Sequence, residues 1–568
     1  MMQSAGGGGG GGGGRRGWHK RGLARQPEPC GIVESSPPHG IKPLGAAFLS
    51  ARNHVQDRNE SLGDFAIFGD EELLLVLEYL HPRDLCKLAC VSRYLRAFAS
   101  HDELWQAHCE QLFQARPFSY ATNWKTSYMR ACARGGCDEV SQGACHDSTS
   151  TDSSGSQPPQ QSAQPEHHQQ GQEQDEEQEQ EGHATDLAVY SDYLYSSWFY
   201  AAACIDPSWL EEETMPRIEL SPAEFQAQYE SKQKPVILKG LAKSWPAFKL
   251  WPDGGIKSVC PKNTLFKAGT FNVTLDAFDT YSPHQCDQRP LYIFDKHFAD
   301  KCPQLGQQYS VPEHFSTDLF SSIEGANRPN YRWLIVGPAK SGSTWHKDPN
   351  STAAWNALVE GEKRWIMTPP NYPPPGVYPS PDGSAVATPI SVTEWFISYY
   401  EALQQSGIPY VEGTQRPGDV VFVPHGWWHV VLNTKPSIAV TQNYAGAPNL
   451  FAVLRFIGTK PDQVSGVAQD VNLYEELVHG LRQHHPEMMA VVQRELDTRK
   501  RTHKRAHGSR RRVADGNDTI GGTRRDSDDD DDGGGGGADD GDEEHDGLAR
   551  KKPKGPSVVK PFSFNFAS

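Results

Sequence analysis

Three residues in this chain have the types and spacing to hold one metal ion. Trp345-His346-Lys347-Asp348-Pro349 sets an imidazole and a carboxylate two residues apart. In an extended segment, side chains two apart project to the same side, so His346 and Asp348 can converge. Far downstream, Pro424-His425-Gly426-Trp427-Trp428-His429 offers His429 as a third ligand from another strand. Two imidazoles and one carboxylate form the facial triad of non-haem Fe(II) oxygenases, which leaves metal positions open for cosubstrate and dioxygen. A His-x-Asp pair alone arises readily by chance and then sits on the surface. His425 lies in the turn before the paired tryptophans, where it would hydrogen-bond locally or face substrate. Lys347 alternates outward from the ligands, toward solvent or a partner.

Such ligands need strands to present them. From Asp192 to about Glu495 the chain reads as continuously folded, and roughly three hundred residues can bury one large core. Short β-rich segments dominate it: Val236–Leu238, Phe271–Leu275, Tyr292–Phe294, Arg332–Val336, Lys363–Met367, Val420–Val423 and Ile438–Gln442. Their Pro- and Gly-rich separators predict an all-β core with turns, decorated by helices. Leu473–Arg482 and His485–Arg494 read as C-terminal helices. Lys363 is followed by Trp365 and Ile366, which predicts a buried ammonium facing a carboxylate. Thr441 and Gln442 are polar members of an otherwise aliphatic strand; a satisfied core hydroxyl also explains Thr441.

Ahead of this region the pattern is helical. Glu71–Leu80 reads as a helix that ends before Pro82, because proline disfavours a helical residue ahead of it. Asp84–Phe98 reads as further helix burying Leu85, Leu88, Ala89, Val91, Leu95 and Phe98. Trp105 closes the unit, and order extends from near Leu62 to about Arg134. Residues 1–60 are expected to be disordered. Residues 138–186 are Ser, Gln, His and Glu in low complexity, and bury too little apolar surface to offset ordering entropy. They predict a linker, and 499–568 a disordered charged tail.

Composition sets the outer bounds. Apolar residues make up 37% of 568, with 53 Gly and 42 Pro, against about half in ordinary domains. This excludes a small staple-dependent domain and describes folded units joined to disorder. Lys and Arg number 55 against 71 Asp and Glu, a net charge of -16. The acid is concentrated in Glu173–Glu181, Asp528–Asp532 and Asp539–Asp546. The basic stretch Arg499–Arg512 could contact RNA; it and Arg550–Lys554 equally suit nuclear import or a solvated segment. The 11 Cys show no dense disulfide framework, so reduced thiols are expected. Cys86 and Cys90 share helical spacing and suit a core face rather than zinc. No apolar run reaches the roughly 18 residues of a bilayer span, and Met1–Gly14 lacks the apolar core of a secretory signal.

Two resemblances add to this reading. FGDEELLLVLEYLHPRDLCKLACVSRYLRAFASHDELWQAHC, Phe68–Cys109, resembles an F-box, with Phe68-Gly69 where Leu-Pro is frequent. The resemblance implies a small all-α module over 62–110 that binds a Skp1-type adaptor of ubiquitin ligases. The strings RPLYIFD, VPEHFSTDLF, RPNYRWLIVGPAKSGS, WHKDP, AWNALVEGEKRWIMTPP, PGDVVFVPHGWWHVVLN and IAVTQNY resemble a Jumonji C domain. Their closest likeness is to the bifunctional arginine demethylase and lysyl hydroxylase family. The whole chain resembles the F-box-bearing Jumonji C proteins of plants and algae.

These resemblances imply a mainly β fold, a double-stranded β-helix of the cupin type, with its core over about 235–454 inside a catalytic region of 190–495. They imply that His346, Asp348 and His429 bind Fe(II). Asn356, Lys363 and Thr441 would contact 2-oxoglutarate, Ser343 would sit at a further pocket position, and Tyr292 and Trp333 would line the pocket. The implied activity is hydroxylation of lysyl side chains or demethylation of N-methyl arginine or lysine, which share one site. Side-chain hydroxylation is the preferred outcome; a cupin used only as a ligase's substrate receptor is the alternative. The expected substrate is a basic protein such as a histone or splicing factor. The expected location is the nucleus, and also the cytoplasm.

Overall fold

Ser92 divides what hydrophobic spacing predicts as one helix. In the computed structural model, which describes residues 41, 43–45, 54–134, 189–323 and 325–495, the N-terminal unit is six helices. They are α1 (His54–Leu62), α2 (Asp70–Glu78), α3 (Pro82–Leu88), α4 (Arg93–Ala99), α5 (Asp102–Leu112) and α6 (Trp124–Arg134). Order therefore begins ahead of Leu62. Asp70, Glu71 and Glu72 occupy the first turn of α2, where the helix dipole favours acid. Pro82 opens α3, and the His81 side chain accepts from the Arg83 amide. The Ser92 side chain accepts from the Leu95 amide at 3.2 Å and starts α4 as an N-cap. The turn it creates leaves Val91 68% exposed, while Leu85, Leu95 and Phe98 are buried. Cys90 is likewise exposed, not on a core face, and is disulfide-bonded, whereas Cys86, Cys109, Cys132, Cys204, Cys260, Cys286 and Cys302 are free thiols.

The expected β-core is present as eleven strands: β1 (Arg217–Ile218), β2 (Val236–Leu238), β3 (Phe266–Ala268), β4 (Phe271–Val273), β5 (Ile293–Asp295), β6 (Arg332–Gly337), β7 (Gly342–His346), β8 (Ala353–Thr368), β9 (Val411–Gln415), β10 (Val420–Val423) and β11 (Trp428–Tyr444). Their order is β1-β2-β10-β8-β11-β6-β5-β3-β4, with β9 also pairing β8 and β7 also pairing β11. The two long strands are antiparallel, running from Ala353 opposite Tyr444 to Thr368 opposite Trp428, with register shifts between Leu358 and Lys363. The shifts bend both strands, so each contributes half its length to each of two facing layers. One half of β8 pairs β10 and the other pairs β9; β11 divides between β6 and β7. This is a double-stranded β-helix. Gly361 sits at the bend with φ +89°, where a Cβ would lie 2.1 Å from the Pro436 carbonyl oxygen.

Helices close the outside. After α7 (Asp192–Ala202), α8 (Val392–Gln405) lays Trp395 and Phe396 on Trp345, Ile366, Trp428 and Val430. Those strand residues alternate with the ligand-bearing positions and so face away from them. Then α9 (Leu450–Thr459) and α10 (Leu473–His484) form a C-terminal cluster with Leu319 and Phe320. The helical unit shares the main core with the β-domain. Trp124 stacks on Phe271 at 5.2 Å, and its indole donates to Asp287 Oδ1 at 2.8 Å. Burial pushes the carboxyls of Asp102 and Asp287 above the usual Asp range at this contact. The linker 138–186, the tail 499–568 with its basic clusters, and most of 1–60 lie outside the described residues. No helix among the described residues is long and apolar enough to cross a membrane.

Candidate active site

Strand parity builds the site. His429, Val431 and Asn433 on β11 share one face, as do Thr441 and Asn443 after the bend. Ala354, Asn356, Lys363 and Trp365 come from β8, and Trp333 and Ile335 from β6; all line one cavity. On β7 parity fails. His429 pairs with His346 and Val431 with Ser343, so β7 carries one extra residue. That bulge lets both His346 and Ser343 face the cavity. All nine residues singled out in the sequence line it: Tyr292, Trp333, Ser343, His346, Asp348, Asn356, Lys363, His429 and Thr441.

The candidate metal ligands meet at the strand ends. Donor atoms of His346, Asp348 and His429 all lie within 4.8 Å of one another. The sequence pattern puts His346 and Asp348 in one strand. Instead β7 ends at His346, and Asp348 lies beyond it in extended backbone at φ -62°, ψ 145°, which still turns its carboxylate inward. His346 Nδ1 lies 2.7 Å from the Thr344 carbonyl oxygen, and His429 Nδ1 lies 3.2 Å from that of Trp427. A carbonyl only accepts, so each Nδ1 carries the proton and each Nε2 keeps its lone pair for a metal. Burial lowers His346 to about 3 and His429 to about 4, so both imidazoles are neutral, the ligating form. Burial raises the Asp348 carboxyl, and its Oδ2 has no hydrogen-bond partner. A cation in this position would satisfy that oxygen and favour its ionised form. The donor set therefore fits a divalent metal.

At the cavity's other end Lys363 is 2% exposed. Its Nζ donates to Asn433 Oδ1 at 2.6 Å. Asn433 in turn donates to Ser341 Oγ at 2.8 Å. Burial alone lowers the ammonium to about 7; no carboxylate of the described residues pairs with it. Thr441 lines the cavity, and its hydroxyl donates to the Trp355 carbonyl at 2.9 Å. Asn356 Oδ1 is buried without a partner. Tyr292 and Ser343 line the same cavity, and burial pushes the Tyr292 phenol up. Trp333 stacks on Phe294 at 5.4 Å. A buried cation and hydrogen-bonding side chains facing three metal donors suit a small dicarboxylate that bridges them.

Two residues that frame the site escaped the sequence reading. Asn443 lines the cavity with Asp348 and donates to Thr352 Oγ1 at 2.9 Å. Asn433 holds Lys363. Parity with Thr441 and with His429 was the available signal for both. His425 takes the local alternative, with Nδ1 2.5 Å from Gln233 Oε1. Lys347 does point away from the ligands, donating to the Pro370 carbonyl at 2.9 Å and lying 4.6 Å from the Trp428 ring centroid.

This geometry has counterparts. Residues 333–444 match the family described as JmjC domain, hydroxylase. Arginine-specific demethylase JMJ22 of Arabidopsis thaliana is 34% identical over 474 residues, covering 83% of this chain and 86% of the relative. The chain belongs to the JmjC family. Lysine-specific demethylase JMJ21 of Arabidopsis thaliana is 32% identical over 406 residues, 69% of this chain and 38% of the relative. The bifunctional arginine demethylase and lysyl-hydroxylase psr-1 of Caenorhabditis briggsae is 36% identical over 257 residues, 43% of this chain and 64% of the relative. Residues 70–111 match the F-box-like family. The protein is thus a JmjC oxygenase with an F-box-like unit ahead of its catalytic domain, as the resemblances implied, and its metal and cosubstrate are of the class this family uses.

Proposed function

We propose that this JmjC protein is an Fe(II)- and 2-oxoglutarate-dependent oxygenase of basic proteins, hydroxylating lysyl side chains in preference to demethylating N-methyl arginine or lysine. The observation that carries the proposal is one cavity with three metal donors at one end and a buried, carboxylate-free Lys363 at the other. In this reading His346, Asp348 and His429 hold the iron. Lys363 takes the distal carboxylate of 2-oxoglutarate, with Asn356, Thr441, Tyr292 and Ser343 as hydrogen-bonding contacts. Trp333 and Phe294 wall off water on that side. With both bound, the iron and 2-oxoglutarate supply the oxidising power, giving succinate, carbon dioxide and a hydroxylated carbon. A hydroxylated N-methyl group collapses to formaldehyde and free amine, so one site serves both outcomes. Basic clusters at Arg499–Arg512 and Arg550–Lys554 favour a nuclear location, as do the relatives named for demethylases.

Histone and splicing-factor peptides, incubated with protein, iron, ascorbate and 2-oxoglutarate, test this by mass spectrometry. Addition of one oxygen to Lys is the expected product. Loss of a methylene with formaldehyde release would shift the proposal to demethylation. Neither change across a broad basic-peptide library, despite 2-oxoglutarate turnover, would reject the substrate class and direct attention to RNA or other proteins.

The helical unit supports a second role, docking of a Skp1-type adaptor. Ile67, Tyr79 and Val91 are 82%, 88% and 68% exposed, which leaves three large apolar side chains of this unit available to a partner. Val91→Glu should abolish co-purification with the host adaptor while leaving the thermal midpoint and 2-oxoglutarate turnover unchanged. A point variant is the right tool, because deleting 62–110 would strip Trp124 and Phe271 of their shared core. No adaptor capture by the folded wild-type protein would return the unit to a purely structural role, and undiminished capture by Val91→Glu and Tyr79→Ala would move the docking face off these residues.

A further inference from the structure

Beyond Asp348 lie two consecutive non-glycine residues in the left-handed region. Asn350 has φ 54° and ψ 20°, and Ser351 has φ 58°. Asparagine tolerates this region better than most residues, while serine does so poorly, so something outside the loop must hold the pair. The holder is the segment C-terminal to the β-core. Asn350, 3% exposed, donates through Nδ2 to the Ser465 carbonyl at 2.9 Å. The Ser465 amide donates back to Asn350 Oδ1 at 3.1 Å. The side-chain amide thus pairs with one backbone unit at both ends. Asn449 Nδ2 donates to the Ser351 carbonyl at 3.4 Å, and Asn449 Oδ1 accepts from the Gly446 amide at 2.8 Å. Next to Ser465, the Gly466 carbonyl accepts from the Asn330 amide at 2.8 Å, which ties that segment to the approach to β6.

We propose that Asn350 is a positioning residue for Asp348, through which residues 449–466 set the affinity of the metal site. Asp348 leaves β7 with no strand partner of its own. Its carboxylate Oδ2 has no hydrogen-bond partner to fix it. Its backbone is fixed only by the Pro349–Ser351 turn on its C-terminal side. Thr352 closes that turn, its amide and hydroxyl both donating to the Pro349 carbonyl, at 3.0 and 2.8 Å. The Asn350–Ser465 pair keeps the turn left-handed. Without it the chain after Pro349 is free to relax to a right-handed path, and the carboxylate that caps β7 shifts with it. The helices beyond the β-core would then be a part of the metal site's support, not only a cover.

The inference rests on Asp348 being a metal ligand, and the test separates the two. The full-length metal-free protein is titrated with Mn(II), free ion being followed by electron paramagnetic resonance. Asn350→Gly keeps the left-handed backbone and removes both hydrogen bonds. Asn350→Asp keeps the acceptor and sets a carboxylate oxygen against the Ser465 carbonyl. Both should weaken Mn(II) binding by about tenfold to a hundredfold, the usual effect of losing an outer-shell partner, while circular dichroism shows the metal-free protein folded, with a thermal midpoint lowered by the buried hydrogen bonds lost. The apparent KM for iron should rise, and kcat should return at saturating iron. Mn(II) affinity within about twofold of wild type in either folded variant, alongside its loss in Asp348→Ala, would overturn the positioning role alone. Wild-type Mn(II) affinity in Asp348→Ala would overturn the metal assignment and this inference with it. Failure of both Asn350 variants to fold would also overturn it, assigning the pair to folding.

Discussion

His346→Ala and Asp348→Ala are expected to lose 2-oxoglutarate-dependent succinate formation while the β-core stays folded. The two residues sit at and just beyond the end of β7. Each imidazole is fixed by a backbone carbonyl of its own segment, so removing one ligand leaves the others where they are. What disappears is one of three donors in a site where burial has already made the imidazoles neutral. Loss of an outer-shell partner alone costs about tenfold to a hundredfold in metal affinity, so loss of a direct ligand should cost more than a hundredfold. His425→Ala is the matched control. Its imidazole belongs to Gln233, and turnover should persist. Circular dichroism verifies the fold, and succinate release is the readout. Wild-type turnover by purified His346→Ala would remove the metal assignment.

What the sequence disclosed and what it concealed divide along physical lines. His346 and Asp348 share five contiguous letters, and their convergence needs only extended backbone, which Asp348 keeps even though β7 stops before it. The β-core was legible in pieces. Lys363–Met367 and Ile438–Gln442 are the hydrophobic halves of β8 and β11, but the polar, bulged centres around Gly361 and Lys435–Ser437 hid that each pair of halves is one bent strand. Periodicity gave one helix across Val91, because hydrophobic spacing outweighed a single capping serine. The bulge in β7 was invisible, since it depends on pairing with β11. So was the junction between the two domains. Trp124 and Asp287 are 163 residues apart, and nothing local in either marks the other. The neighbours of Lys363 announced its burial but not the Asn433–Ser341 chain that receives it, because that chain is assembled from a different strand and a turn.

Lys363 is expected to make 2-oxoglutarate binding pH-dependent, and its removal to weaken that binding by at least tenfold. The ammonium sits in the cavity with an amide oxygen as its hydrogen-bond acceptor and no carboxylate to balance it. Burial therefore lowers its pKa from 10.5 to about 7. A bound distal carboxylate supplies the missing charge and restores the protonated form. Below about pH 7 the free protein already carries the proton, and affinity is flat. Above it, binding must take up a proton, so affinity should fall by about tenfold for each further pH unit. Calorimetry in buffers of different ionisation enthalpy should show close to one proton taken up per 2-oxoglutarate near pH 8 and almost none near pH 6. Lys363→Met keeps the length of the side chain and removes the charge. The lost charge-assisted hydrogen bond contributes about 1.5–3 kcal/mol, which corresponds to about tenfold or more in affinity, and the variant should bind without the pH slope. The two readouts answer different questions. Lost affinity with the slope retained would mean that another group titrates. Unchanged affinity in Lys363→Met would mean that the distal carboxylate lies elsewhere. Loss of both together is the result that only a buried, unpaired lysine at the carboxylate end of the cavity produces.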